Sequence, residues 1–473
     1  MMTQNGLPRF VTQAGLGPGP DESSPEPRTQ PPGGLAILAL VALGDWLLWD
    51  LSPGLSLVIF GAAVLALAGL RGRGWVTYGL GALPVVDLVQ PLSLGFLLAG
   101  MVLALAGPSP GRALGFLRAV PLAWVQGLHP GRLRLKPGAF LRLWAFPLGG
   151  ALVILALLFE ANPLIEKALT FDLDLDDLPL RLVFWAGIAL MVTPFLAAPP
   201  EAVTPRLRLP GWGLNPGSVL RALVVFNLLL AVQMVSDASV AIGGLPQGMS
   251  HATYAHRGAY PLLATALLAG AFALAARPFL AENRWLRPLL LLWLGQNIAL
   301  TLSAALRLQV YIQAWGLSYL RVHAAIWMAL VALGLGLCLW QVLRGHPNAW
   351  MLRRTAALGM GTLYACAFVN FAGIIAAENL ARPAPDLAYV CGLGEMASGA
   401  IAEKVARNPS LGPDLAEVYD FTPYSEVIGC PAAIPPRIDH WQEWGFRAWG
   451  VARKVEQNLM VQEVGPTIEN PAR

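Results

Sequence analysis

The chain has 473 residues, of which 56% are hydrophobic and only 13% charged, with a net charge of +4 and a mean hydropathy of +0.57. A soluble domain carries about 25% charged residues, so this composition excludes the soluble class and predicts a membrane protein with many spans. The small net charge is spread through short loops rather than gathered on one face, which excludes a nucleic-acid surface, and four cysteines are too few for a disulfide scaffold.

Residues 1–33 are rich in Pro, Gly and Ser and lack an apolar period; the reading is a disordered cytoplasmic tail. No short apolar segment followed by a small-residue cleavage site stands at the N-terminus. The first hydrophobic run is therefore expected to be an uncleaved anchor.

Crossing the hydrocarbon takes roughly 20 apolar residues. That rule predicts about eleven spans: Gly34–Trp49, Leu55–Leu70, Trp75–Gln90, Leu92–Ala106, Leu141–Glu160, Leu180–Ala198, Val219–Val235, Tyr260–Phe279, Leu286–Leu306, Leu320–Leu343 and Thr355–Ala377. The first four are short, and Pro84 and Pro91 interrupt the third and fourth. Residues 34–377 thus form an all-α, polytopic helix bundle, and 378–473 a small region beyond it.

Basic residues set the orientation. With the N-terminus cytoplasmic, the inside loops carry Arg71 and Arg73, then Arg112 to Lys136, Arg206 and Arg208, Arg277 to Arg287, and Arg344 to Arg354. The outside loops carry Asp172 to Asp177, the 236–258 segment and Gln309 to Tyr319. An odd number of spans places the C-terminal region outside. The 108–137 stretch reads as a positive-inside loop, with an amphipathic surface segment as the alternative. In the C-terminal region, Glu395–Arg407 reads as a helix, and Trp441, Trp444, Ala448 and Val451 follow helical spacing.

Polar side chains inside spans are costly and therefore informative. Gln296, Ser303 and Arg307 share one helix face at about 100° per residue. Gln233 and Asp237, four apart, stack at an outer helix end. His323 and Trp327 stack beside Arg321. Asn370 shares a face with Cys366 and Gly373. The stretch Tyr254–Ala–His256–Arg257–Gly–Ala–Tyr260 opens a small-residue helix at the same side. The expected ligand-binding set is Asp237, His256, Arg257, Tyr260, Gln296, Arg307, Arg321, His323 and Asn370. A plainer reading treats each as interhelical glue, worth about 0.6 kcal/mol per bond, or as arginines reaching the headgroups.

Other motifs fail on chemistry. Asp172 to Asp177 resembles half of a calcium loop, but Asp177 stands where glycine is needed and Val183 where the last ligand belongs. His251 and His256 lack metal-ligand spacing. No motif calls for a cofactor or supplies a nucleophile with its base, so catalytic residues are not assigned. Cys391 and Cys430 both fall in the outer region, where a disulfide is permitted.

Several stretches together resemble a bacterial family. They are His256–Arg–Gly–Ala–Tyr–Pro261, Ala281–Glu–Asn–Arg284, the Trp293–Arg307 span and Tyr311–Ile–Gln–Ala–Trp–Gly–Leu–Ser–Tyr–Leu–Arg321. The Ile374–Glu378–Asn379–Leu380 junction, Asp386–Tyr389–Leu393–Gly394 and the Trp441/Trp444 pair join them. From about 215 to 454 the chain resembles the membrane-protein family catalogued as domain of unknown function 4173, close to number 4153. The resemblance implies a bacterial inner-membrane protein and no particular activity.

Three functions remain. The first is transport or binding of an anionic amphiphile or small anion, with membrane lipids as the other expected partner. Arg257 and Arg307 would hold the charge and Asp237 would couple protonation. The second is an outward-facing membrane enzyme, and the third an envelope scaffold or sensor.

Overall fold

The computed structural model describes residues 34–107, 109–127, 177–197, 215–243, 251–418 and 429–463. Side chains at 110, 122, 125–127, 240–243, 251–263 and 461–463 are not described. Every regular element among the described residues is helical. In chain order these are α1 (Gly34–Leu48), α2 (Leu55–Leu67), α3 (Gly74–Asp87), α4 (Pro91–Ala106), α5 (Pro110–Gly127), α6 (Leu178–Leu196), α7 (Pro216–Gly243), α8 (His251–Ala276), α9 (Leu286–Trp315), α10 (Tyr319–Arg344), α11 (Asn348–Ala367) and α12 (Phe371–Leu380). Beyond them lie α13 (Leu387–Cys391), α14 (Ser398–Arg407), α15 (Leu411–Ala416) and α16 (Phe446–Glu463).

Four helices are individually long and apolar enough to cross a membrane, and up to six spans result if each of two bent pairs counts as one. Eleven is therefore a finer count than the described helices carry. The first four helices have 13 to 16 residues, about 20–24 Å at ~1.5 Å per residue against ~30 Å of hydrocarbon. The run Thr355–Ala377, expected as one span, is two helices meeting at 67° across a short break. The 108–137 stretch contains helix α5 where a loop was the expectation. The expected span Leu141–Glu160 and the 1–33 tail lie outside the described residues.

The chain divides into two compact units. The first takes the described residues within Met1–Asp45, Ala63–Gly72 and Leu105–Ala202, and the second the rest. In the first unit, Asp45 of α1 accepts from Arg181 Nε (2.8 Å) and Nη2 (2.5 Å) and from Trp185 Nε1 (2.8 Å). Trp124 of α5 donates to the Leu190 carbonyl at 2.8 Å. Each is a way of satisfying a polar group that lipid cannot solvate.

The second unit is built on α7 to α10. Ala266, Ala269, Ala273 and Ala276 form a buried stripe on α8. Small residues at this spacing let backbones approach where packing, not water, drives helix association. The stripe packs with Leu286, Leu290 and Leu294 of α9 and Leu335 and Cys338 of α10. Phe226, Phe272 and Trp293 bring α7, α8 and α9 together, with ring centroids 5.1–5.6 Å apart. Leu228, Leu229, Val232 and Val235 of α7 point outward, as lipid-facing side chains do. In the same unit α3 and α4 touch backbone to backbone: a Cβ on Gly81 would lie 2.7 Å from the Gly100 Cα, so no larger residue fits there.

One end of this unit is arginine-rich. Arg277 donates to the Gly345 carbonyl at 2.9 Å and Arg287 to the Leu343 carbonyl at 2.8 Å, while Arg344 and Arg354 lie against Trp340 and Trp350. The other end carries a crown, residues 380–463. Its core joins Ile375 and Leu380 of α12 to Val390, Ala397, Ile401, Leu411 and Leu415, and a Cys391–Cys430 disulfide closes it with Cα atoms 4.8 Å apart.

The crown is strapped to helix ends by polar side chains, Arg447 and Glu443. Arg447 pairs with Asp87 and donates to the Ala367 (2.7 Å) and Val369 (3.0 Å) carbonyls, the acceptors left open by the α11–α12 break. Glu443 accepts from the Ser52 amide at 3.0 Å and from the Asp439 and His440 amides. A Cβ on Gly54 would meet the Glu443 carbonyl carbon at 2.3 Å, so the two backbones are in direct contact.

Two predictions follow from the strap. The Arg447 and Asp87 side chains are 9% and 15% exposed, and breaking such a pair costs about 3–5 kcal/mol. Arg447→Ala should therefore lower the thermal midpoint in detergent far more than Arg407→Ala, whose pair with Glu403 is solvated. The second concerns acid. The Ser52 amide, helped by the Asp439 and His440 amides, holds the Glu443 carboxyl below its ordinary value of 4.5 against the opposing effect of burial. A depressed carboxyl stabilises fully above its unfolded value and loses that contribution as pH falls through the folded one. Proteolysis of the crown should accelerate only below about pH 4.5, and Glu443→Gln should flatten that dependence.

Candidate functional site

The polar residues of α7 and α9 meet in a seam. Asp237 pairs with Arg307, their side chains 10% and 16% exposed. Gln233 Nε2 donates to Asp237 Oδ1 at 2.8 Å, the bond expected of an i, i+4 pair. Ser303 Oγ lies 3.5 Å from Asp237 Oδ2 and 3.5 Å from Arg307 Nη2. Deeper in, Gln296 Nε2 donates to the Asn227 carbonyl at 3.3 Å. Asn227 Nδ2 donates to the Leu223 (2.7 Å) and Leu289 (3.1 Å) carbonyls. Both donors of Asn227 and one of the two on Gln296 are thus committed, and among the described residues their amide oxygens, Asn227 Oδ1 and Gln296 Oε1, are buried without a donor. A buried acceptor left unpaired costs about 1–3 kcal/mol.

From Asn227 to Asp237 the seam runs about 15 Å at ~1.5 Å per residue. The aromatic trio Phe226, Phe272 and Trp293 closes it below. By the same rise, counted along α8 from Phe272, the backbone at His256, Arg257 and Tyr260 lies near the level of Asp237 and Arg307. Their side chains are outside the described residues.

The rest of the expected set separates. Arg321 donates to the Trp315 (2.9 Å) and Gly316 (2.5 Å) carbonyls and lies 4.4 Å over the Tyr311 ring; it caps the end of α9. Asn370 accepts from the Gly373 amide, which starts α12, and donates to the Met396 carbonyl at 2.9 Å. His323 rests between the Tyr319 and Phe371 rings. These two residues belong near the crown, while Asp237, Arg307 and Gln296 belong to the seam.

The sequence reading did not anticipate a cavity of about 680 Å³ between the crown and the helix ends, walled by Tyr319, Asn370, Phe371 and Met396 and edged by Glu395 and Arg437. The available signal was Asp87, an acid inside a predicted span, which required a cationic partner from somewhere. Among the described residues no group of three His, Cys, Asp or Glu side chains is placed to hold a metal ion.

A family model described as a domain of unknown function (DUF4153) matches residues 34–404. The match takes in the first half of the chain as well as the part where the sequence stretches are distinctive; a relation to number 4173 is not shown. No curated protein and no solved structure matches the chain.

The ion pair yields a measurable coupling. Asp237→Asn and Arg307→Gln each break a shielded ion pair, and each should destabilise the protein, by up to about 3–5 kcal/mol. The double variant should lose clearly less than the sum of the two. Additive losses in thermal or denaturant unfolding would show that the two side chains do not act as a unit.

Proposed function

The chain belongs to the DUF4153 family, a domain of unknown function whose match spans most of its helices, and we propose that it is a multi-pass protein of a bacterial inner membrane that binds and moves an anionic amphiphile or small anion through the α7–α9 seam. About eleven crossings put the arginine-rich ends in the cytoplasm and the crown outside. Two independent features support that orientation: arginine concentrates on cytoplasmic sides, and a disulfide persists in an oxidising compartment.

The observation that carries the function is the shielded Asp237–Arg307 pair above two donorless amide oxygens. A guanidinium held by a carboxylate is a ready anion site, because protonation of the carboxylate releases a planar fork of donors that fits a phosphate or carboxylate. Asp237 thereby couples a proton to the anion. Arg257, at the same level of α8, would add the second positive charge, with His256 and Tyr260 beside it. Gln296 and Asn227 take the hydrogen-bond donors of the head group or its accompanying water. The aromatic trio is the barrier that must open for passage. A second reading, an envelope sensor, draws on the crown, whose strapping to the helix ends ties an exposed domain to the bundle.

Accessibility tests the reading directly. In a chain with Cys338 and Cys366 changed to Ser, Gln233→Cys and Ser303→Cys should react with a membrane-impermeant maleimide added outside cells. Arg353→Cys should react only after permeabilisation. Native mass spectrometry should find phosphatidylglycerol retained by the wild type and lost from Arg307→Gln. Outside-inaccessible seam cysteines would overturn the orientation, and unchanged retention in Arg307→Gln would overturn the site.

A further inference from the structure

The crown cavity is a second site with chemistry of its own. At about 680 Å³ it falls within the ~300–1,000 Å³ of small-molecule pockets. Four charged side chains line it: Glu395, Arg437, Glu443 and Arg447. Two of them are spoken for. Arg447 is committed to Asp87 and two carbonyls, and Glu443 to three backbone amides. Glu395 and Arg437 are exposed and have no hydrogen-bond or ion-pair partner among the described residues.

The groups left to meet a ligand are therefore one carboxylate and one guanidinium, with the Tyr319 and Phe371 rings in the wall. A pure anion would gain Arg437 but face Glu395, and a pure cation the reverse. Opposite charges lining one cavity favour a partner that carries both. An aromatic wall suits an ammonium group, which is attracted to a ring face.

We propose that the crown cavity binds a small zwitterion, a molecule with an ammonium and an acidic group, its ammonium toward Glu395 and its acid toward Arg437. A free zwitterion and a phosphoethanolamine lipid head group share this chemistry. The site is independent of the seam: none of its residues is in α7 or α9.

The test is calorimetry on the full chain in detergent. Glycerophosphoethanolamine should bind, and glycerol phosphate and ethanolamine, each carrying one half of the charge pattern, should bind at least tenfold more weakly. Glu395→Gln and Arg437→Gln, both exposed, should keep the wild-type unfolding midpoint and lose at least tenfold in affinity for glycerophosphoethanolamine. Arg307→Gln should bind it normally, which separates this site from the seam. Native mass spectrometry from phosphatidylethanolamine nanodiscs identifies the source. Lipid retained by the wild type and lost from Glu395→Gln marks the head group, and binding of the soluble probe without lipid retention marks a free zwitterion. Equal affinity for glycerophosphoethanolamine and glycerol phosphate, unchanged binding in both variants, or no binding of either the probe or the lipid would overturn the proposal.

Discussion

Wherever a helix stops or breaks, its last carbonyls lose their intrahelical donors and need others. In this chain guanidinium groups fill that vacancy. Arg382 donates to the Ile312, Gln313 and Ala314 carbonyls and Arg321 to those of Trp315 and Gly316, so the end of α9 is closed by two side chains. Arg447 does the same at the α11–α12 break, with Gln90 adding a bond to Ala367. At the opposite end Arg277 and Arg287 serve the carbonyls after α10. One long cation can serve several acceptors at once because its donors lie in a fixed plane. Without these caps neither the turn after α9 nor the broken span could hold its shape.

That economy bears on where ligands can bind. Arg321 spends Nη1 on two carbonyls at the end of α9, whereas Arg307 pairs with a carboxylate on the neighbouring helix. The turn between α9 and α10 links the two regions. Gly316 adopts φ +82° there, a conformation glycine accepts readily. Asn379 both donates to and accepts from the backbone of Leu317, each at 2.8 Å.

Much of this was readable from residue order. The helical class follows from composition. The Gln233–Asp237 bond and the alignment of Ser303 with Arg307 follow from helical spacing alone, since each is set within one helix. Interactions between distant parts of the chain were not. Asp87 and Arg447 are 360 residues apart, and nothing local says which arginine will neutralise which acid. The break after Ala367 was missed because Thr355–Ala377 is mostly apolar and carries no proline; its local signal was Asn370, which accepts from the Gly373 amide as the N-cap of α12. What distant parts of the chain add there are donors from Arg447 and Gln90 to the carbonyls at the break. The short early helices were visible as short runs, yet their pairing through Gly81 and Gly100 depends on two glycines in different spans.

The Cys391–Cys430 bond has a consequence for biogenesis. Cys391 follows closely on the last apolar helix, whereas its mate comes 39 residues later. During synthesis the first thiol therefore waits until the second has been made. On the proposed outside placement of the crown, closing the bond would fall to the thiol-oxidising enzymes of that compartment, and a cell lacking them would accumulate a chain whose crown is unsealed.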